Sequence, residues 1–317
     1  MSHNDQTKVD AAPREAFAWL AHGPTVGMIC ILIATFCFAS GNALIRTASG
    51  SLPTVEVAFF RSVFGLLIQL PVVAWLGLGS IRTQRLGLHA VRGTLHAFSM
   101  ILWFVALVSV PLSLAASLEF AAPIMTTAIA ILFLGEDVRM RRIVALAVGV
   151  LGVLIVVRPG VADVSRGELL CLVSVAMWAG CQLIIRELGR TESAFVQGFY
   201  TVAVFVPITA IMALPTWVWP DAATLSLVFG LSVFSTIGVW FYGEAFRRAE
   251  MTAILPLEST KLLWAVLYGL MFFGETPEVL TLVGGAIIFA AAAYITLREA
   301  QLSRAQRESV ATEFPPQ

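Results

Sequence analysis

Long uninterrupted apolar runs dominate this 317-residue chain and decide what it can fold into. About 20 mainly apolar residues cross the hydrocarbon core of a bilayer as an α-helix. Because the apolar residues are continuous rather than alternating, they predict helices and not the strands of a membrane barrel. The sequence therefore predicts an all-α membrane protein with ten transmembrane helices. The ten runs are residues 26–45, 55–76, 88–109, 112–134, 143–157, 168–186, 194–214, 224–246, 252–273 and 279–297.

The overall composition agrees with a polytopic membrane protein. The chain is 58% hydrophobic and 13% charged, whereas soluble domains are about 25% charged. Its formal net charge is zero, so no basic surface indicates nucleic acid as a partner. All four cysteines lie in apolar runs and none forms a CxxC pair, which favours packing residues over metal ligands or disulfides.

Positive residues in the connections predict the orientation of the chain. With the N-terminus in the cytoplasm, 15 lysines and arginines fall on the inside and 3 on the outside. Because cytoplasmic connections carry the excess of positive charge, both termini are expected to be cytoplasmic. Residues 1–24 are expected to form an N-terminal tail. Residues 299–317 are expected to form a C-terminal tail that is irregular after the last helix.

The two halves of the chain resemble each other. A shift of 139 residues places SLEFAAPIMTTAIAILFLGE on PLESTKLLWAVLYGLMFFGE, with Glu119 on Glu258. A shift of 140 places FASGNALIR on WAGCQLIIR. Each half holds five predicted helices, and an odd number requires the second copy to lie upside down in the membrane. We expect two inverted repeats over residues 25–158 and 165–298, the plan of many secondary transporters.

The repeat also predicts the depth of its two glutamates. Glu119 lies about seven residues from the outer end of its run, and Glu258 about six from the inner end of its own. At about 1.5 Å per residue, each is roughly 10 Å below opposite surfaces. In a hydrocarbon core about 30 Å thick, both approach the middle.

Several motifs resemble those of the drug/metabolite transporter superfamily, EamA type. They are the closing Gly-Glu pairs in FLGEDV and FFGETP, the segment EVAFFRSVFGLLIQLP, and WFVALVSVPLSLAASLEFAAPI. The resemblance covers about residues 25–298. It implies a ten-helix inner-membrane carrier of small metabolites, such as amino acids, nucleotide sugars, vitamins or S-adenosylmethionine. The segment GEAFRRAEMTAILPLESTKLL departs from the pattern because it is more charged.

Ionisable residues inside the predicted helices are the main site candidates. Such a residue costs at least about 2.5–3.5 kcal/mol at mid-membrane, so it normally faces a partner or a cavity. Glu258 and Lys261 stand three apart on one helical face. They form either an internal ion pair or a cavity wall that offers both charges to a substrate. Pro256 favours the cavity, because interrupted helices recur at transport sites.

Glu119 and Arg61 have matching depths, so we expect them to pair directly or to face one cavity. Their pairing would be either structural or part of the substrate site. Without a partner, Glu119 is a candidate proton carrier. His96 is either a hydrogen-bonded interior residue or a protonation switch.

Amides and aromatic rings complete the predicted site. Asn42 and Gln182 are repeat-related amides that could donate hydrogen bonds to a substrate. Trp178 and Trp240 lie inside predicted helices. They either pack against other helices or stack on a planar or cationic substrate.

These observations predict a secondary active transporter that moves a small polar, charged or zwitterionic metabolite by alternating access. The alternatives are an exporter of the same fold and, more remotely, a channel or a membrane-embedded enzyme that uses the paired carboxylates. No phosphate loop, HExxH or GxSxG motif is present, so we expect no catalytic residue, metal or permanent cofactor. The expected partners are a small-molecule substrate, the lipid bilayer, protons and, as a candidate assembly, a second copy of the chain.

Overall fold

The computed structural model describes residues 24–134, 140–159 and 164–313. This part of the chain folds into α-helices joined by short connections and 3₁₀ turns, and it contains no β-strand. The helices are α1 (Pro24–Ala48), α2 (Thr54–Leu76), α3 (Leu86–Ser109), α4 (Leu112–Glu119), α5 (Ala122–Leu134), α6 (Met140–Val157), α7 (Arg166–Leu188), α8 (Ala194–Ala213), α9 (Ala222–Arg248), α10 (Met251–Glu258), α11 (Thr260–Phe273) and α12 (Val279–Glu313).

The described helices confirm the predicted membrane fold. Nine stretches are long and apolar enough to cross a membrane, when α4 with α5 and α10 with α11 each count as one crossing. The shorter apolar helix α6 is the tenth. The chain is therefore a multi-pass membrane protein with ten helical crossings in the part that the structure describes.

Helix packing follows the two-repeat plan. The first crossing, α1, packs against the eighth, α9, and the third crossing, α3, packs against the sixth, α7. The first and sixth crossings are equivalent in the two repeats, as are the third and eighth, so these two contacts are equivalent. The same exchange relates the contact of α1 with α11 to that of α7 with α5. The remaining large contacts, α2 with α8 and α6 with α12, join equivalent helices of the two repeats.

The contact between α6 and α12 depends on glycine. A Cβ atom built at Gly152 would lie 3.0 Å from the backbone nitrogen of Ile288. One built at Gly284 would lie 2.9 Å from the carbonyl oxygen of Gly152. The two backbones thus approach closely because neither side chain intervenes, as small residues allow in membrane helices.

Side-chain caps define where two helices of the second repeat begin. Ser165 and Glu168 form a capping box at the start of α7. The Ser165 hydroxyl accepts the backbone N–H of Glu168 at 3.2 Å, and the Glu168 carboxylate accepts the backbone N–H of Ser165 at 2.7 Å. Asp221 accepts the backbone N–H of Thr224 at 2.9 Å and caps α9. Hydrogen bonds from the Thr224 side chain and backbone lower the pKa of the Asp221 carboxyl. It is therefore ionised at neutral pH, as suits the positive end of a helix.

The C-terminal end differs from the sequence-based expectation. We expected the chain to be irregular after the last apolar run, but α12 continues through the polar segment to Glu313. A polar helix of this kind does not require the membrane. The first Gly-Glu pair, residues 135–136, lies outside the described residues, as do residues 1–23 of the predicted N-terminal tail and residues 314–317 of the C-terminal one.

Candidate functional site between two broken helices

The two repeat-related glutamates mark breaks in two membrane helices. α4 ends at Glu119 and α5 begins at Ala122, while α10 ends at Glu258 and α11 begins at Thr260. The residue after each glutamate has almost the same backbone conformation, with φ −63° and ψ −13° at Phe120. The corresponding angles are −62° and −19° at Ser259. The inverted copies therefore share a broken helix as well as a carboxylate.

Different residues produce the two breaks. Pro123 follows Glu119 by four positions and has no N–H to donate to its carbonyl oxygen, so it favours the first turn of a new helix. In the second copy, the hydroxyls of Ser259 and Thr260 each donate to a carbonyl of the preceding turn at 2.6 Å. Such bonds compete with the helical ladder. Pro256 predicted this second interruption, and Pro123 could have predicted the first.

Lys261 joins the two broken helices through an ion pair. Its Nζ donates to Oε1 of Glu119 at 2.5 Å, which connects α11 of one repeat to α4 of the other. The same Nζ lies 5.4 Å from the ring centroid of Phe38 on α1, a distance at which a cation and an aromatic face attract. The second oxygen of Glu119, Oε2, is buried without a hydrogen-bond partner among the described residues.

Glu258 and Lys261 do not form the internal ion pair that was one of the two alternatives. Glu258 instead accepts the hydroxyl of Tyr242, on α9, at 3.1 Å. The Tyr242 and Phe38 rings lie 6.0 Å apart between centroids. Glu119, Lys261, Phe38, Tyr242 and Glu258 thus form one cluster, called here the central cluster.

Arg61 is not part of the central cluster, so the direct pair with Glu119, one of the two alternatives, is not formed. Its Nη1 donates to Sδ of Met100 at 3.0 Å. Its carbonyl oxygen accepts the hydroxyl of Ser232, on α9, at 3.1 Å. The pair fails because depth along a helix says nothing about rotation around it, and Lys261 reaches Glu119 from another direction.

The predicted amides and aromatic residues have separate surroundings. Asn42 accepts the indole N–H of Trp103 at 3.3 Å, which links α1 to α3. Gln182, its counterpart in the second repeat, is exposed. Trp178 packs on His96, with ring centroids 4.5 Å apart. Trp240 packs edge-to-face against its sequence neighbour Phe241.

His96 lies in an aromatic environment on α3. Its ring contacts Trp178 on one side and Phe205 on the other, the latter with a centroid distance of 4.9 Å. Its Nδ1 is buried without a hydrogen-bond partner in the described part of the chain. This nitrogen could accept a hydrogen bond from a substrate.

The second Gly-Glu pair closes one end of the bundle. Gly274 ends α11 with a φ of 64°, a conformation that favours glycine. Glu275 then forms an ion pair with Arg46 at the end of α1. Its other oxygen accepts the backbone N–H of Leu112 at 2.9 Å. The motif therefore ties both repeats together at this end, a role that the sequence pattern alone did not indicate.

Ten helical crossings, two repeats and a charged interior define the class of a membrane carrier. The sequence profile of the EamA-like transporter family matches residues 25–158 and 165–297. The chain belongs to this family, and it is a metabolite transporter.

Curated relatives extend over nearly the whole chain. A riboflavin transporter from Vibrio cholerae serotype O1 is 30% identical and covers 91% of this chain and 98% of its own. An S-adenosylmethionine uptake transporter from Rickettsia prowazekii is 27% identical, with coverages of 89% and 96%. A pseudopaline exporter from Pseudomonas aeruginosa is 30% identical, with coverages of 84% and 94%.

A solved crystal structure shares the fold. It has a TM-score of 0.58 with this chain, is 18% identical in sequence, and covers 86% of this chain and 96% of its own.

Proposed function

We propose that this chain is a secondary active transporter of a small polar, charged or zwitterionic metabolite in the inner membrane, with both termini cytoplasmic. One observation carries the proposal: an ion pair between the two repeats joins Glu119, at one helix break, to Lys261, beside the other. Carriers with inverted repeats bind substrate near the midplane where broken helices meet. Relative motion of the repeats then exposes the site to each side in turn.

The proposed binding residues surround this junction. Glu258 and Lys261 present charged groups, Glu119 offers its unpartnered oxygen, and Arg61 supplies a second positive charge. The rest of the proposed wall consists of Asn42, Gln182, Trp178 and Trp240. A substrate that competes for Lys261 would loosen the link between the repeats, which couples binding to their relative motion.

Proton coupling is proposed to use Glu119, where a proton would replace Lys261 as the partner of the carboxylate, or His96. Each has a buried polar atom without a hydrogen-bond partner in the described chain. An imposed proton gradient across vesicles should then change the initial rate of uptake, and Glu119→Gln or His96→Gln should remove that dependence.

Counterflow in proteoliposomes tests the transport proposal. Riboflavin and S-adenosylmethionine are the first probes, because relatives named for both compounds cover nearly all of this chain. The names of the S-adenosylmethionine relative and the pseudopaline relative give opposite directions, so both orientations of the gradient are needed. Saturable exchange supports a carrier. Flux that never saturates would indicate a channel, and recovery of an altered compound would indicate an enzyme.

Substitutions separate a binding role of the ion pair from a purely structural one. Glu119→Gln or Lys261→Met leaves a charge without its partner, which costs about 3–5 kcal/mol for buried pairs. Each should lower counterflow at least about tenfold. The double variant removes both charges together and should restore stability. If it also restores transport, the pair is only structural; we expect transport to stay low. Glu278→Gln is the control, because its carboxylate is 61% exposed.

A further inference from the structure

We infer that Arg61 is the subsite that binds an anionic group of the substrate, a carboxylate or a phosphate. This inference rests on the proposed transport function and assigns the substrate class for the same site. It follows from how the charges within the membrane helices are matched. Lys261 already has a carboxylate partner in Glu119, whereas the acceptor found for the Arg61 guanidinium among the described residues is the sulfur of Met100.

A thioether is a poor partner for a guanidinium. Arginine presents up to five N–H donors in a rigid fork that matches two oxygens of a carboxylate or phosphate. Sulfur in methionine is only a weak acceptor. Arg92, which lies within α3, at least donates to the carbonyl oxygen of Gln197 at 3.0 Å. Arg61 is therefore the interior cation whose hydrogen-bonding capacity is least used in the described structure.

The surrounding helices hold Arg61 in place without neutralising it. Ser232 of α9 donates to its backbone carbonyl, which fixes that turn of α2 against the other repeat. Met100 contacts the guanidinium from α3, and His96 lies one helical turn before Met100. The ring of Trp178 packs on His96. A planar group could thus lie near an aromatic surface while its acidic substituent contacts Arg61.

A continuous set of side chains connects Arg61 to the central cluster. Met100 and Trp103 are neighbours on one face of α3. Trp103 donates to Asn42, and Asn42 lies one turn from Phe38 on α1. Phe38 then contacts Lys261. The steps along α3 and α1 rise about 4.5 and 6 Å. This set of side chains therefore suits a substrate with an anionic end at Arg61 and a polar or cationic part near Glu258.

Ligand pairs that differ in one acidic group test this assignment by binding alone. The probes are nicotinamide with nicotinate, tryptophanamide with tryptophan, and riboflavin with its 5′-phosphate, titrated into the purified full chain in nanodiscs. In at least one pair the anionic member should bind about tenfold more tightly. The carboxylate and phosphate pairs show which anion fits. Arg61→Gln should abolish the preference, Arg61→Lys should retain part of it, and Arg82→Gln, at an exposed arginine, should leave it unchanged.

Stability of the unliganded protein gives a second readout. Removing a cation that has no carboxylate partner should leave the melting temperature of Arg61→Met unchanged or raised, whereas Lys261→Met should melt lower. The assignment is overturned if no pair favours its anionic member, if the preference survives Arg61→Gln, or if Arg61→Met melts as low as Lys261→Met. Saturable counterflow together with any of these results would leave the carrier proposal standing and remove only the role of Arg61.

Discussion

Tyr242 positions Glu258, the carboxylate of the central cluster that does not accept a hydrogen bond from Lys261. Its hydroxyl donates to Glu258 at 3.1 Å, and its ring packs against Phe38 and Phe246. The ring contacts fix the phenol, so the hydroxyl is preorganised to orient the carboxylate. A substrate that binds Glu258 would therefore meet an acceptor of fixed direction.

Replacing Tyr242 with phenylalanine separates the hydrogen bond from the ring packing. A hydrogen bond to a charged group contributes about 1.5–3 kcal/mol to stability, so Tyr242→Phe should lower the melting temperature by a few degrees. Because the carboxylate of Glu258 then loses its fixed direction, substrate affinity should also fall about tenfold. The measurement is the concentration that half-saturates counterflow. Tyr294→Phe is the matched control, since Tyr294 is 46% exposed on α12. Equal affinities in the two variants would remove Tyr242 from the site.

The sequence identified the ionisable residues of the interior but not their partners. Spacing on a helical face suggested a pair between Glu258 and Lys261, yet Lys261 bonds to Glu119 and Glu258 accepts the hydroxyl of Tyr242. Similar depth suggested a pair between Glu119 and Arg61, yet depth leaves the rotation of each helix undefined. Partner choice depends on tertiary packing, and no local pattern encodes it. For the same reason, the aromatic partners Phe38 and Trp103 had no signal of their own.

At the scale of the helix, small residues determine how closely the two repeats approach. α6 and α12 are equivalent helices of the repeats, and they cross where Gly152 faces Gly284. Continuous apolar runs predicted both helices. The partner helix became evident only in the folded molecule, because apolar runs of this kind fit many neighbours.

A methyl group at Gly284 should disturb this crossing. The new Cβ would lie 2.6 Å from a side-chain carbon of Val156 and 2.9 Å from the carbonyl oxygen of Gly152. Since a backbone atom must move, overpacking should cost about 1–3 kcal/mol. Gly284→Ala should therefore melt several degrees lower in detergent. Gly87→Ala is the control, because nothing lies within 4 Å of a Cβ there; a comparable loss in both variants would contradict this account.

For the whole molecule, cross-repeat contacts at both ends of the bundle bear on alternating access. At the end proposed to face outward, Glu275 pairs with Arg46. At the end proposed to face the cytoplasm, Arg85 pairs with Glu187, and Thr83 donates to Glu192 at 2.6 Å. The outer ion pair is more enclosed than the one between Arg85 and Glu187, since its side chains are only 21% and 14% exposed against 37% and 46%. Opening outward must therefore separate Arg46 from Glu275, and this pair should control outward exposure.

Neutralising Glu275 should shift the protein toward the outward-open state. In the closed state the amide of Glu275→Gln leaves Arg46 uncompensated, whereas in the open state water solvates both side chains. Outward exposure is measured as the labelling rate of Asn42→Cys by a membrane-impermeant maleimide. All four native cysteines are buried, free thiols and are first replaced by alanine. The expected result is a several-fold faster reaction from outside.

The neighbouring ion pair supplies the control for this experiment. Glu278 pairs with Arg158 at the same end, but its side chain is 61% exposed, and such surface pairs contribute only about 0–1 kcal/mol. Glu278→Gln should therefore leave the labelling rate near that of the parent. If Glu275→Gln also leaves it unchanged, the pair does not control outward opening. If both variants accelerate labelling equally, charge at this surface rather than the link between Arg46 and Glu275 sets the equilibrium.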